Sequence, residues 1–253
     1  MSSGSKKPIE LDTVFKLLDQ WRNLPSYSLE PRTDAFFALY LSEAVEEYRR
    51  KKGLPDCPML PDVIPQFPLC KEYNKQSEKV DYAVFAEDRS VVYLVEIKTD
   101  MASLSEEQHD YLVRAKRSGF KEVVEGIWQI ALSTRAQPKY VHLLSRLEEF
   151  GYVSIPDFNG LCDHAFPKKP HLGDVIKANA KGYTCPDPKI ELVYIVPRHE
   201  NPPPNEPWKC TVNDGLDFEQ FAKVVEAHSD LLSLTFAKYI RKWCVDPATQ
   251  RPS

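Results

Sequence analysis

Residues 79 to 98 constrain this chain more than any other stretch. They read KVDYAVFA, then EDRS, then VVYLVEIK. Two apolar, β-branched runs joined by four polar residues predict an antiparallel hairpin. Successive side chains of a strand point to opposite faces. Val92, Leu94, Glu96 and Lys98 therefore share one face, and Val91, Tyr93, Val95 and Ile97 the other. A strand that otherwise reads as a central one thus carries a carboxylate and an ammonium side by side at its C-terminal end. The turn is centred between Asp88 and Arg89, so antiparallel pairing sets Asp81 roughly opposite Glu96. Asp81, Glu96 and Lys98 are predicted to meet at the open end of the hairpin.

Those residue types in that pattern point to phosphoryl chemistry. Two carboxylates a few ångströms apart on a rigid sheet repel each other unless a cation sits between them. Mg²⁺ prefers a few carboxylates together with waters and phosphate oxygens, and Mn²⁺ is the alternative ion. Such an ion lowers the pKa of a bound water and stabilises charge on a phosphate. A neighbouring lysine orients or deprotonates that water, or stabilises the transition state. Asp81, Glu96, the backbone carbonyl of Ile97 and Lys98 form a set of that kind. The plainer uses are an ion pair at a sheet end for Glu96 and Lys98, and a turn or cap for Asp81.

Asp81-x14-Glu96-Ile97-Lys98 resembles the signature of the PD-(D/E)xK phosphodiesterase superfamily, which includes restriction endonucleases, recombination exonucleases and junction resolvases. The resemblance covers residues 30 to 115, and Val80 stands where the signature has proline. It implies a restriction-endonuclease-like core in which the aspartate starts the second core strand and the E-x-K ends the third. It also implies a glutamine on the following helix, matched by Gln108 in SLSEEQHDYL, and a glutamate on the helix before the sheet. Glu43 is the first candidate for that glutamate, with Glu47 and Glu30 behind it. The implied activity is metal-dependent hydrolysis of phosphodiester bonds, in DNA more than RNA, and a homodimer would suit double-strand cutting. The triplet alone proves little, since acidic-x-basic arises about five times by chance in a chain of this composition. Asp187-Pro188-Lys189 is a second example. A catalytically inactive module that binds nucleic acid or protein on the same fold is the alternative reading.

Composition limits the other classes. The net charge of −4 argues against a protein that coats nucleic acid by bulk charge, though not against a local basic rim. Lys71, Arg114, Lys116, Arg117 and Lys121 are candidates for phosphate contacts. Six scattered cysteines with no CxxC pair give no zinc spacing and read as reduced thiols. The six histidines have no ligand spacing either. No apolar run approaches the roughly 18 residues of a membrane helix. Met1 to Pro8 is polar, without the apolar core of a signal peptide, so a cytoplasmic location and no membrane partner are expected.

Along the chain, a tail (1–10) precedes one expected domain (11–246) and a second tail (247–253). Helical spacing predicts helices over Leu11–Arg22, Thr33–Lys51 with Thr33 as N-cap, Ser105–Ser118 opening on a Ser105-x-x-Gln108 capping box, Phe120–Leu132 and Lys139–Phe150. Strands are predicted at Val63–Cys70, an edge strand because of Pro65 and Pro68, at the two hairpin arms, and at Ile190–Val196. Residues 162–188 carry no clear pattern. Residues 202–207 form a proline-rich linker, and Asp217–Trp243 is helical with a break at His228-Ser229-Asp230. The expected class is α/β: a mixed central sheet flanked by helices, with a helical C-terminal part.

Overall fold

The structure is a computed structural model that describes residues 10–24, 26–70, 77–167, 169–200 and 205–244. The first tail, apart from Glu10, and the second tail lie outside the described residues, as do Lys71 and residues 202–204 of the linker. The element order is α1 (Leu11–Trp21), α2 (Glu30–Ala38), α3 (Leu41–Lys51), β1 (Ile64–Cys70), β2 (Ser77–Phe85), β3 (Val91–Ile97), α4 (Glu106–Ser118), α5 (Phe120–Ser133), α6 (Gln137–Glu149), α7 (Phe158–Ala165), α8 (Leu172–Gly182), β4 (Lys189–Val196), α9 (Lys209–Asn213), β5 (Leu216–Asp217), α10 (Phe218–Glu226) and α11 (Leu231–Trp243). The class is α/β, with a five-stranded mixed sheet in the order β1-β2-β3-β4-β5 flanked by helices. The pairs β1/β2 and β2/β3 are antiparallel. Lys189 donates its N–H to Ser90 O, and Lys98 to Ile195 O, so β4 runs the same way as β3. That direction requires a crossover connection, which α4 to α8 supply.

The chain gathers into two units. One comprises Met1–Lys51, Ile97–Leu104 and Tyr194–Ser253, the other Lys52–Glu96 and Ser105–Val193. The first has a core of aromatic rings in which Phe15, Phe37, Phe236 and Trp243 are fully or almost fully buried. The second is built on β1, β2, most of β3 and helix α5, whose Val124, Ile127 and Trp128 are buried. Helix α5 approaches β1 closely at Gly126, where an added Cβ would lie 2.5 Å from Cys70 Cβ.

Two expectations about the N-terminal helices are corrected. The stretch predicted as one helix from Thr33 is two, broken at Leu39 and Tyr40. Tyr40 is buried with its hydroxyl 2.9 Å from Ser233 Oγ, while Leu39 is exposed, so a distant contact dictates the break. Thr33 is not the N-cap. The helix starts at Glu30 with Pro31 in its first turn, and the Thr33 hydroxyl bonds back to the carbonyls of Leu29 and Glu30. Residues 158–182, largely unreadable in sequence, form the short helices α7 and α8. The break before Leu231 occurs as expected, with Asp230 capping α11.

The hairpin turn sets the register of everything beyond it. Ala86 N–H donates to Val91 O at 3.2 Å, and Arg89 N–H to Ala86 O at 3.1 Å. Asp88 Oδ1 accepts from Ser90 N at 2.9 Å, and Arg89 takes a left-handed φ of 62°. The buried Tyr152 hydroxyl lies 2.7 Å from Ala86 O and 3.2 Å from Val91 O, which bridges the two ends of the turn. Tyr152→Phe removes that bridge, while Ala86 O keeps the Arg89 N–H and Val91 O the Ala86 N–H. We expect it to lower unfolding stability by about 0.5–1.5 kcal/mol in urea titrations with the slope unchanged. An unchanged midpoint would mean the bridge contributes nothing.

Candidate functional site

The paired residues Tyr82↔Val95, Ala83↔Leu94, Val84↔Tyr93 and Phe85↔Val92 fix the β2/β3 register. One further step sets Asp81 opposite Glu96, as the turn centre predicts. Directly opposed residues share a face with Cβ atoms about 5 Å apart. Both carboxylates are withdrawn from solvent: Glu96 is 0% exposed and Asp81 9%. Pro65↔Tyr82 and Phe67↔Val80 flank Gln66, so the register sets Gln66 opposite Asp81 on its other side.

Helix α4 brings a hydrogen bond to the same place. Gln108 Nε2 donates to Glu96 Oε1. Ser105 caps the helix, its hydroxyl accepting from Gln108 N at 3.4 Å, but the Gln108 side chain does not turn back to complete a capping box. The same sequence pattern opens α10. There both halves of the box form, with Gln220 N on Asp217 Oδ1 at 2.8 Å and Gln220 Oε1 accepting from Asp217 N at 3.1 Å. Gln108 is therefore diverted from a local bond to the carboxylate.

Tyr111 is a member that sequence reasoning missed. It stands three residues after Gln108 on the same helix face, a spacing that makes the two neighbours. Its hydroxyl donates to Lys79 O at 2.8 Å. Burial pushes its ionisation well above the ordinary tyrosine range, and the negative charges of Glu96, Asp81 and Glu78 push it further. Both predicted carboxylates are thus felt at one phenol.

The remaining predicted residues are placed as follows. β3 ends at Ile97, one residue short of the predicted end, and Lys98 follows it; both are buried, and the Lys98 backbone N–H bonds Ile195 O. They belong with the first unit, and so does Glu43. Glu43 lies near the start of α3 with its carboxylate 2.7 Å from His228 Nε2. Glu47 pairs with Arg50, and Glu30 opens α2. Arg114 pairs with Glu78 at 3.3 Å and Lys116 with Glu191 at 2.6 Å, so these two cations are already committed to carboxylates. The second acidic-x-basic triplet has another task, since Asp187 Oδ1 accepts from Lys121 N at 3.0 Å.

Among the described residues, no group of three or more His, Cys, Asp or Glu side chains is arranged to hold a metal ion. The Asp81/Glu96 donor set still fits a hard divalent cation, because Mg²⁺ is commonly held by one or two carboxylates and otherwise by waters and phosphate oxygens. Softer ions that need imidazole or thiolate have no such ligands in this row.

The electrostatic coupling can be measured on the metal-free chain. In EDTA, we expect Tyr111 to titrate above the ordinary tyrosine value of about 10. Glu96→Gln removes one negative charge and lowers that ionisation, read as the absorbance difference between each protein and its Tyr111→Phe counterpart. Because the folded-state pKa is raised, the associated stability is complete below the unfolded value and is lost as pH rises through the folded one. An unmoved Tyr111 titration in Glu96→Gln would place Glu96 too far away to matter.

No protein-family model matches this chain, and comparisons with curated proteins and with solved structures find no match.

Proposed function

We propose that this chain is a Mg²⁺- or Mn²⁺-dependent phosphodiesterase that hydrolyses nucleic acid, DNA above all, on a restriction-endonuclease-like core. The observation that carries this reading is the opposition of Asp81 and Glu96, two carboxylates withdrawn from water, with Gln108 bonded to Glu96. Two carboxylates on one face of a sheet offer a divalent cation hard oxygen ligands and are drawn together by it. A bound divalent ion would neutralise the pair, polarise a phosphate oxygen and acidify a water.

The chain's own residues would do the rest. Asp81 and Glu96 would hold the ion, joined by the Ile97 carbonyl. Gln108, anchored on a capped helix, would fix the Glu96 carboxylate through Oε1. Lys98 falls on the Glu96 side of β3 by strand alternation and would steer or deprotonate the attacking water. Glu43, engaged with His228, is not needed for this reading.

A second reading, a binding module without catalysis, draws on the same Gln108–Glu96 bond, since an amide is also an ordinary partner for a buried carboxylate. Calorimetry with Mn²⁺ separates the two. The phosphodiesterase takes up Mn²⁺ and loses uptake in Asp81→Ala, whereas the module need not bind it.

The direct test uses labelled single-stranded and double-stranded DNA with Mg²⁺, Mn²⁺ or EDTA. We expect metal-dependent products from the wild type and at least about a hundredfold slower cleavage by Lys98→Ala with its melting temperature preserved. A folded Asp81→Ala/Lys98→Ala protein that still cleaves would overturn the assignment.

A further inference from the structure

A cleft of about 440 Å³ lies between the edge strand β1 and helix α6, wholly within the second unit. Its polar lining is one-sided. Lys79, Lys139, Arg146 and His142 line it together with Tyr140, and the described lining residues include no carboxylate. On a chain with a net charge of −4, that is a local reversal of sign. Arg146 is shared with Asp62 and Glu149. Lys79 and Lys139 are exposed, and neither joins an ion pair among the described residues.

The rest of the cleft is apolar, with Ile64, the β1 prolines and Leu143 at its floor. At its side, His142 packs edge-on against Phe166 at 6.2 Å, and Phe166 is 49% exposed. The cleft also leads towards the carboxylate row. Lys79 is two residues before Asp81 on β2, and Gln66, another lining residue, stands opposite Asp81 in register.

We infer that this cleft takes a single strand of nucleic acid, with phosphates on Lys79 and Lys139 and unpaired bases against Tyr140, His142 and the apolar floor. Cations that track a backbone, interleaved with aromatic and apolar surfaces, are how unpaired strands are held without sequence preference. A duplex offers phosphates alone and would leave the apolar floor uncovered. An extended peptide is disfavoured, because Pro65 and Pro68 interrupt the run of β1 N–H groups that strand addition uses. That the bound strand is also the substrate rests on the phosphodiesterase reading, but strand binding does not.

The test measures fluorescence anisotropy of a labelled oligothymidylate and of a duplex of equal length, with the full chain in EDTA. The expected result is salt-dependent binding of the single strand at least tenfold tighter than of the duplex. Lys79→Gln/Lys139→Gln should weaken it at least tenfold. It should also make the log–log salt slope shallower by about 1.4, at roughly 0.7 for each phosphate no longer neutralised. Circular dichroism melts check the fold, and Lys139→Glu alone, at an exposed helical position, serves if the double variant is unstable. Absence of binding, equal affinity for the duplex, or variants that bind as the wild type does would overturn the inference. So would displacement of the oligonucleotide by polyglutamate at equal charge. The two readings fail separately. Strand binding without cleavage in Mg²⁺ or Mn²⁺ leaves the cleft and removes the phosphodiesterase, and metal-dependent cleavage with strand binding unchanged in the double variant does the reverse.

Discussion

The opposition of Asp81 and Glu96 across β2 and β3 is the constraint on which the rest of this site depends. A strand pair that sets two carboxylates on one face in a place with little solvent needs its register held firmly. The turn from Glu87 to Ser90 holds it locally, through the Asp88 side chain and the left-handed Arg89. Tyr152 does so from a distance by bridging Ala86 O and Val91 O. A slip of one residue would turn Asp81 and Glu96 to opposite faces and expose the buried flank of the hairpin. Stability and site geometry are therefore set by the same bonds.

Much of this was legible in sequence because it is local. Four polar residues between two apolar runs locate the turn centre at Asp88/Arg89. Period-two geometry then carries Asp81 to Glu96, and the observed pairing agrees at each of its four steps. The α/β class and the helix starting after Ser105 follow from equally local signals. What sequence did not show was decided by distant partners. The break at Tyr40 depends on Ser233, nearly two hundred residues away. Tyr111 joins the site only because α4 lies where its hydroxyl reaches Lys79 O. The two-residue strand β5 is too short to carry a pattern, and Gly215 before it leaves no room for a Cβ, which would lie 2.0 Å from Tyr194 O.

Charge shows the same division between local and distant information. Arg114 and Lys116 look in sequence like a basic helix end ready for phosphates. In the fold they meet Glu78 and Glu191, so their charge is largely neutralised within the chain. Lys79 and Lys139 drew no notice as a pair, being sixty residues apart, yet they line one cleft. Net charge therefore says little about where a chain can meet an anion. What matters is which cations the fold leaves without an acidic neighbour.

The two capping sequences turn this into an argument about Gln108 itself. Ser105-x-x-Gln108 and Asp217-x-x-Gln220 carry the same instruction, and each N-cap side chain obeys it by accepting from the third residue's N–H. Gln220 completes its box, its amide oxygen accepting from Asp217 N at 3.1 Å and from Lys51 Nζ at 3.1 Å. Gln108 instead presents its amide N–H to Glu96, since a bond to a buried carboxylate outweighs a neutral bond at a helix end still open to water. The diversion of Gln108 therefore ties the first turn of α4 to the carboxylate of β3, and the local bond given up at the helix end is replaced by one that positions Glu96.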